Sequence, residues 1–140
     1  MDGSRTIDRA LAGLALGRIA LGAASRLAPA ATARSFGAGG AQTPELDYMT
    51  RIFGNRAIGL GAGWLLSRGA ARDTWQRIAF GVDLSDTVAG LGHLRRRDVP
   101  LGSAASLTGF TGGYMVVGAI KLARDLRRAR AGRPAGTPST

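Results

Sequence analysis

The residues of this chain best suited to chemistry are five polar groups set inside apolar helical runs: Arg18, Arg56, Asp83, Asp86 and His93. Carboxylates with arginines beside them serve proton carriage, general acid–base catalysis or a buried ion pair. Asp83 and Asp86 are three residues apart, which places them on one helix face. Gly90 and His93 extend that stripe, four and seven residues beyond Asp86. On the preceding helix Arg56 shares a face with Gly59 and Gly63. A charge at the centre of an isolated membrane helix costs about 2.5–3.5 kcal/mol on insertion scales, so these groups should turn inward and find partners. Arg56 is expected to pair with Asp86 or Asp83, and Arg18 with the remaining acid.

Three uses of this cluster stay open. The leading one is structural, with buried pairs setting helix register. A proton-coupled transporter would use Asp83 or Asp86 as carrier and His93 as relay. A membrane-embedded enzyme would use one aspartate as general acid or base and Arg56 to orient an anionic group. Other chemistries are harder to build. The chain has no cysteine and one histidine, which excludes thiolate sites and a multi-histidine metal site within one chain. The glycines of GLGAGW (residues 59–64) follow no strand and lack dinucleotide spacing, so no cofactor is expected.

The elements that must carry these residues are helices, and their composition suits a membrane. Residues 99–120 contain no charge, a run long enough for an apolar bilayer core that needs roughly 20 helical residues. The 22 glycines lie inside apolar runs, as in membrane bundles where backbones approach closely. Pairs at spacing four, Gly13 with Gly17, Gly59 with Gly63 and Gly109 with Gly113, are candidates for packing within the chain. Self-association or docking to a larger membrane protein is their second use. Trp64, Trp75 and Tyr114 fit packing or interfacial anchoring.

Helices are expected over about 7–27, 44–68, 72–94 and 100–130, with a loop over residues 29–42 that has room for one helical turn and a disordered tail over 132–140. Thr43-Pro44-Glu45 is a start signal: cap, proline at the first position, acids in the first turn. Gly69 is the expected C-cap of the second long helix. The first apolar run carries Arg18 in its middle and reads as a retained helix rather than a cleaved signal. A link of a few residues should make the helices that carry Arg56 and Asp83 antiparallel neighbours.

Charge completes the expectation. The net charge is +10, and Lys121 is the one lysine among 19 cations. Lys121, Arg124, Arg127 and Arg128 suit anionic lipid headgroups. That segment has no aromatic platform for nucleic acid. Eleven cations flank one side of the helices and six the other, which puts both termini in the cytoplasm of a multi-pass plasma (inner) membrane protein.

The segments LALGRIALG, RIFGNRAIGLG and VDLSD together resemble a group of small four-helix membrane proteins of actinobacteria and some fungi, catalogued as a domain of unknown function. The resemblance covers roughly residues 7–120 and rests on Arg18, Arg51, Gly54, Arg56, Gly59, Asp83 and Asp86. It implies a four-helix membrane fold and brings no activity. The expectation is therefore an all-α, four-helix transmembrane bundle of structural or accessory role. The enzyme or transporter is the first alternative. A soluble helical bundle is the other, since only the last helix holds an uncharged run of membrane length.

Overall fold

The computed structural model describes residues 2–38, 40 and 42–131; the expected disordered tail lies outside the described residues. The fold is all-helical: α1 (Asp2–Leu27), α2 (Pro29–Ser35), α3 (Pro44–Leu66), α4 (Gly69–Arg96) and α5 (Leu101–Ala131). The four long helices match the expected ones. The short α2 replaces an expected loop. Its PAATARS sequence is rich in alanine, the best helix former, and its proline suits the first helical position. Pro29, Thr32 and Ala33 are buried there, where α2 meets both α1 and α3.

The ends of the helices follow local chemistry. Thr43 caps α3 by accepting a hydrogen bond from the Leu46 backbone N–H at 3.2 Å. Hydrogen bonds to its own backbone and to Thr43 hold the exposed Glu45 carboxyl below its usual range. Gly69 is not the C-cap of α3; Ser67 is. Ser67 and Arg68 are extended, and Gly69 opens α4 with φ +53°, a turn that a side chain would resist. At the far end of α4, left-handed Arg97 closes the helix by donating its N–H to the His93 carbonyl at 2.8 Å.

Packing divides the long helices into two pairs, α1 with α3 and α4 with α5. In the first pair Gly22 meets Gly54, and Ala15 meets Gly61. A Cβ on Gly22 would lie 2.5 Å from the Gly54 carbonyl oxygen, and one on Gly61 would lie 2.5 Å from that of Ala15. Leu11, Ala15 and Trp64 form the apolar core at one end of this interface. In the second pair Thr87 donates to the Thr111 hydroxyl at 3.1 Å, Gly90 seats Thr108, and Gly118 lies against Phe80.

The contact between α3 and α4 is much smaller than either of these. A short link keeps two helices near each other only at its own end. There the Trp75 ring covers Gly63, while farther out each helix is occupied by another partner.

Burial, rather than spacing alone, decides which glycines matter. Of the six expected packing glycines, Gly17 lies against the Tyr114 hydroxyl and Gly63 against Trp75. Gly13, Gly59, Gly109 and Gly113 face open space. The close approaches use Gly22, Gly54, Gly61, Gly90 and Gly118 instead. Among the described residues, one helix is long and apolar enough to cross a membrane, and it is α1, over Arg5–Leu27. The uncharged run of α5 falls short because glycine, serine and threonine dilute it; lacking charge is not the same as being apolar.

These contacts yield a paired prediction for thermal unfolding. Gly54→Val should destabilise by about 1–3 kcal/mol through overpacking, because its Cβ would press on the Gly22 carbonyl oxygen and on Ser25. Gly13→Ala, with nothing within 4 Å, should leave stability unchanged or raise it by up to about 1 kcal/mol. Equal effects of the two would refute the assigned interface.

Candidate functional site: a paired polar core and an apolar cleft

The interior of the bundle is polar where its helices converge. Arg18 of α1 is hydrogen-bonded to Asp83 of α4 through Nη2 and Oδ2. The Arg18 guanidinium also stacks 4.3 Å above the Tyr114 ring of α5. The Tyr114 hydroxyl donates to the Leu14 carbonyl of α1 at 3.3 Å, in the space that Gly17 leaves free. Three helices from both pairs therefore meet at one cluster. Its side chains are sealed: Arg18 is 13% exposed and Asp83 5%. Phe110 extends the cluster, with ring centroids 4.8 Å from Tyr114 and 5.6 Å from Phe36.

The second pair has a different setting. Arg56 of α3 donates to Asp86 of α4 at 2.5 Å, with side chains 44% and 26% exposed. It borders a cleft of about 870 Å³ between the two helix pairs. Met49 and Phe53 line the cleft from α3, Ala89 and His93 from α4, and Leu107 from α5. The cleft is open because α3 and α4 part beyond their link. An Arg–Asp bridge at the margin of an apolar cleft can hold the two walls together. It can equally offer one charge-assisted hydrogen-bonding position to a small or amphiphilic guest.

Arg18, Asp83, Arg56 and Asp86 thus form two pairs, assigned as Arg18–Asp83 and Arg56–Asp86. His93 does not join them. Its Nδ1 lies 2.7 Å from Asp98, which also accepts from Arg96 at 2.8 Å, so it belongs to the end of α4 while lining the mouth of the cleft. The sequence offers packing or interfacial anchoring for Tyr114; that it stacks on Arg18 follows from α1 and α5 meeting, which no local pattern reports. Three buried hydroxyls, of Ser25, Ser103 and Thr108, have no hydrogen-bond partner among the described residues.

Lys121, Arg124 and Arg128 gather on a second cavity at the opposite end of the bundle, whereas Arg127 is exposed outside it. Lys121 donates to Asp125 at 2.6 Å and to Asp73 at 3.2 Å. Burial lowers its affinity for the proton, but these carboxylates outweigh that and hold the ammonium above its usual value. Among the described residues, no group of three or more metal-ligating side chains is present.

No family model, no curated protein and no solved structure matches this chain.

The α4 terminus carries a pH prediction. Hydrogen bonds from Arg96 and His93 lower the Asp98 pKa from 3.8 to about 2. A depressed carboxylate stabilises the fold above its unfolded value, and that contribution disappears as pH falls through the folded value. Carboxyl NMR should place the Asp98 midpoint near 2, and Arg96→Ala should move it back toward the usual aspartate range. A midpoint unaffected by Arg96→Ala would refute the assigned bond.

Proposed function

We propose that this chain is a multi-pass integral membrane protein of structural or accessory role, in which α1, α3, α4 and α5 span the bilayer. The observation that carries the reading is that polar residues share the interior with small apolar ones while many long aliphatic side chains face outward. The buried residues include Thr32, Asp83, Thr87 and Thr111, each bonded inside the fold, while Leu16, Ile52, Val88, Leu91, Val116 and Ile120 are exposed. A soluble domain of this size would bury its leucines and isoleucines and hydrate its threonines. A bilayer reverses the preference, because lipid tails solvate apolar side chains and polar groups must be satisfied inside.

Two further observations support it. Only 22% of the apolar window of α1 is buried inside the fold, unlike the core helix of a soluble protein. The two acids within the apolar part of α4, Asp83 and Asp86, are both bonded to arginines from neighbouring helices. The helix ends carry the remaining charge, from Arg5 and Arg9 at one end of α1 to Arg95, Arg96 and Arg97 at the far end of α4. The bundle's role on this reading is to present a fixed arrangement of helices.

The cleft favours a second reading. A guest space of about 870 Å³ beside Arg56 and Asp86 would suit a small membrane enzyme or a transporter in which Asp86 handles a proton.

Expressed protein should stay in the membrane fraction after alkaline carbonate extraction; release into the supernatant would refute the membrane reading. In mild detergent, Arg18→Ala or Asp83→Leu should each cost about 3–5 kcal/mol, since each leaves a buried charge without its partner. The double variant Arg18→Met with Asp83→Leu should recover most of that loss. Asp86→Asn decides between the two readings. A clear loss of stability supports the structural role, and a variant as stable as the parent turns attention to a guest in the cleft.

A further inference from the structure

We propose that the cavity at the basic end of the bundle is a binding site for the phosphate of an anionic phospholipid headgroup. The inference deepens the membrane reading and rests on it. The cavity measures about 620 Å³ and lies where the first turns of α1 and α4 meet the last turns of α3 and α5. Its wall carries Arg9, Arg72, Lys121, Arg124 and Arg128, against the carboxylates of Asp8, Asp73 and Asp125. Among the described residues that line it, cations outnumber acids five to three.

The internal bonds show where that surplus sits. Lys121 is held between Asp125 and Asp73, so it fixes the wall more than it offers charge. Arg72 donates its Nε–H to the Ser67 carbonyl at 2.8 Å and stacks 4.6 Å above the Trp64 ring. That contact pins the guanidinium at the cavity wall and leaves its terminal nitrogens as donors. Among the described residues, Arg9 and Arg128 form no ion pair. They stand on α1 and α5, so an anion bound between them would bridge helices from the two pairs. Guanidinium groups from several sides suit the tetrahedral oxygens of a phosphate.

The floor identifies the phosphate as lipid-borne. Beneath the charged rim lie Ile7, Leu11, Ala12, Trp64 and Leu65. These belong to or pack against the apolar core. A soluble phosphate has no use for such a floor. A phospholipid does, because its glycerol and first methylenes lie directly below the phosphate. A tryptophan under an arginine is also an expected feature of the headgroup layer. Basic cavities between membrane helices are established sites for anionic headgroups.

Trp64 supplies the readout, and Trp75 lies at the same end of the bundle against Gly63. Native protein in nonionic detergent would be titrated with phosphatidylglycerol brominated near the headgroup end of its chains, and separately with equally brominated phosphatidylcholine. Tryptophan quenching should saturate with the anionic lipid at about tenfold or more lower concentration. Arg9→Gln with Arg128→Gln should weaken that affinity by about ten- to thirtyfold, from about 1 kcal/mol per cation. The charge-matched control Arg34→Gln with Arg95→Gln, at the other end, should change it by less than about twofold. Equal affinity for the two lipids, or equal effects of the two double variants, would overturn the site. Inorganic phosphate that competes fully at millimolar concentration would assign the same site to a free anion and overturn the lipid source. Carbonate extraction separates the two levels of argument: protein released by carbonate that still binds phosphate through Arg9 and Arg128 would retire the membrane reading and leave an anion site.

Discussion

The arrangement depends on one buried contact, the Arg18–Asp83 pair under the Tyr114 ring. It joins α1, α4 and α5, and so ties the α1–α3 pair to the α4–α5 pair. Forming such a contact contributes little net free energy, since desolvating both charges offsets most of their attraction. Removing one partner costs far more, because the other remains charged in a medium that cannot solvate it. The pair therefore acts chiefly as a specification of geometry. With Asp83 turned toward Arg18, Asp86 three residues later lies on the neighbouring part of the same face and reaches Arg56 across the cleft. With Tyr114 laid over Arg18, its hydroxyl must come close to α1, and Gly17 leaves room for it.

Within each pair of helices, close backbone approach does the work that large apolar side chains do in a water-soluble core. Gly22 against Gly54 and Ala15 against Gly61 bring the backbones of α1 and α3 into direct approach. Thr87 and Thr111 bond across α4 and α5. Between the pairs there is less to hold. The cleft exists because α3 and α4 each have a better partner, and long side chains rather than packed backbones span the gap beyond Gly63 and Trp75. The same economy of contact opens the basic cavity at the other end, where Arg72 is propped on Trp64 and Lys121 is clamped between two aspartates. On the membrane reading the two openings differ in depth and in kind: one is apolar with a single bridged ion pair, the other a charged rim over an apolar floor.

What could be read along the chain was whatever depends on neighbours in sequence. The four long helices, the Thr43 cap of α3 and the inward demand of Arg18, Arg56, Asp83 and Asp86 all follow from propensity, capping and the cost of an unpaired charge in an apolar run. Even there, local rules competed. Gly69 looked like the end of one helix and is the start of the next, because the link is extended on both residues before it. The alanines of α2 suggested a linker and made a helix.

The tertiary structure alone decided the partners. Two arginines and two aspartates allow two pairings, and the choice of Arg18 with Asp83 needed α1 to lie against α5, within side-chain reach of α4, a contact between distant parts of the chain. Spacing marked Gly59, Gly109 and Gly113 and passed over Gly22, Gly54 and Gly61, yet only the second set faces another backbone. Tyr114 became part of the polar core for the same reason, since its neighbours in sequence are Gly113 and Met115 and its neighbour in space is Arg18. Helix type is a property of local sequence, so the sequence by itself determined it. Which faces meet is set by the register between helices, which arises only when the whole bundle assembles.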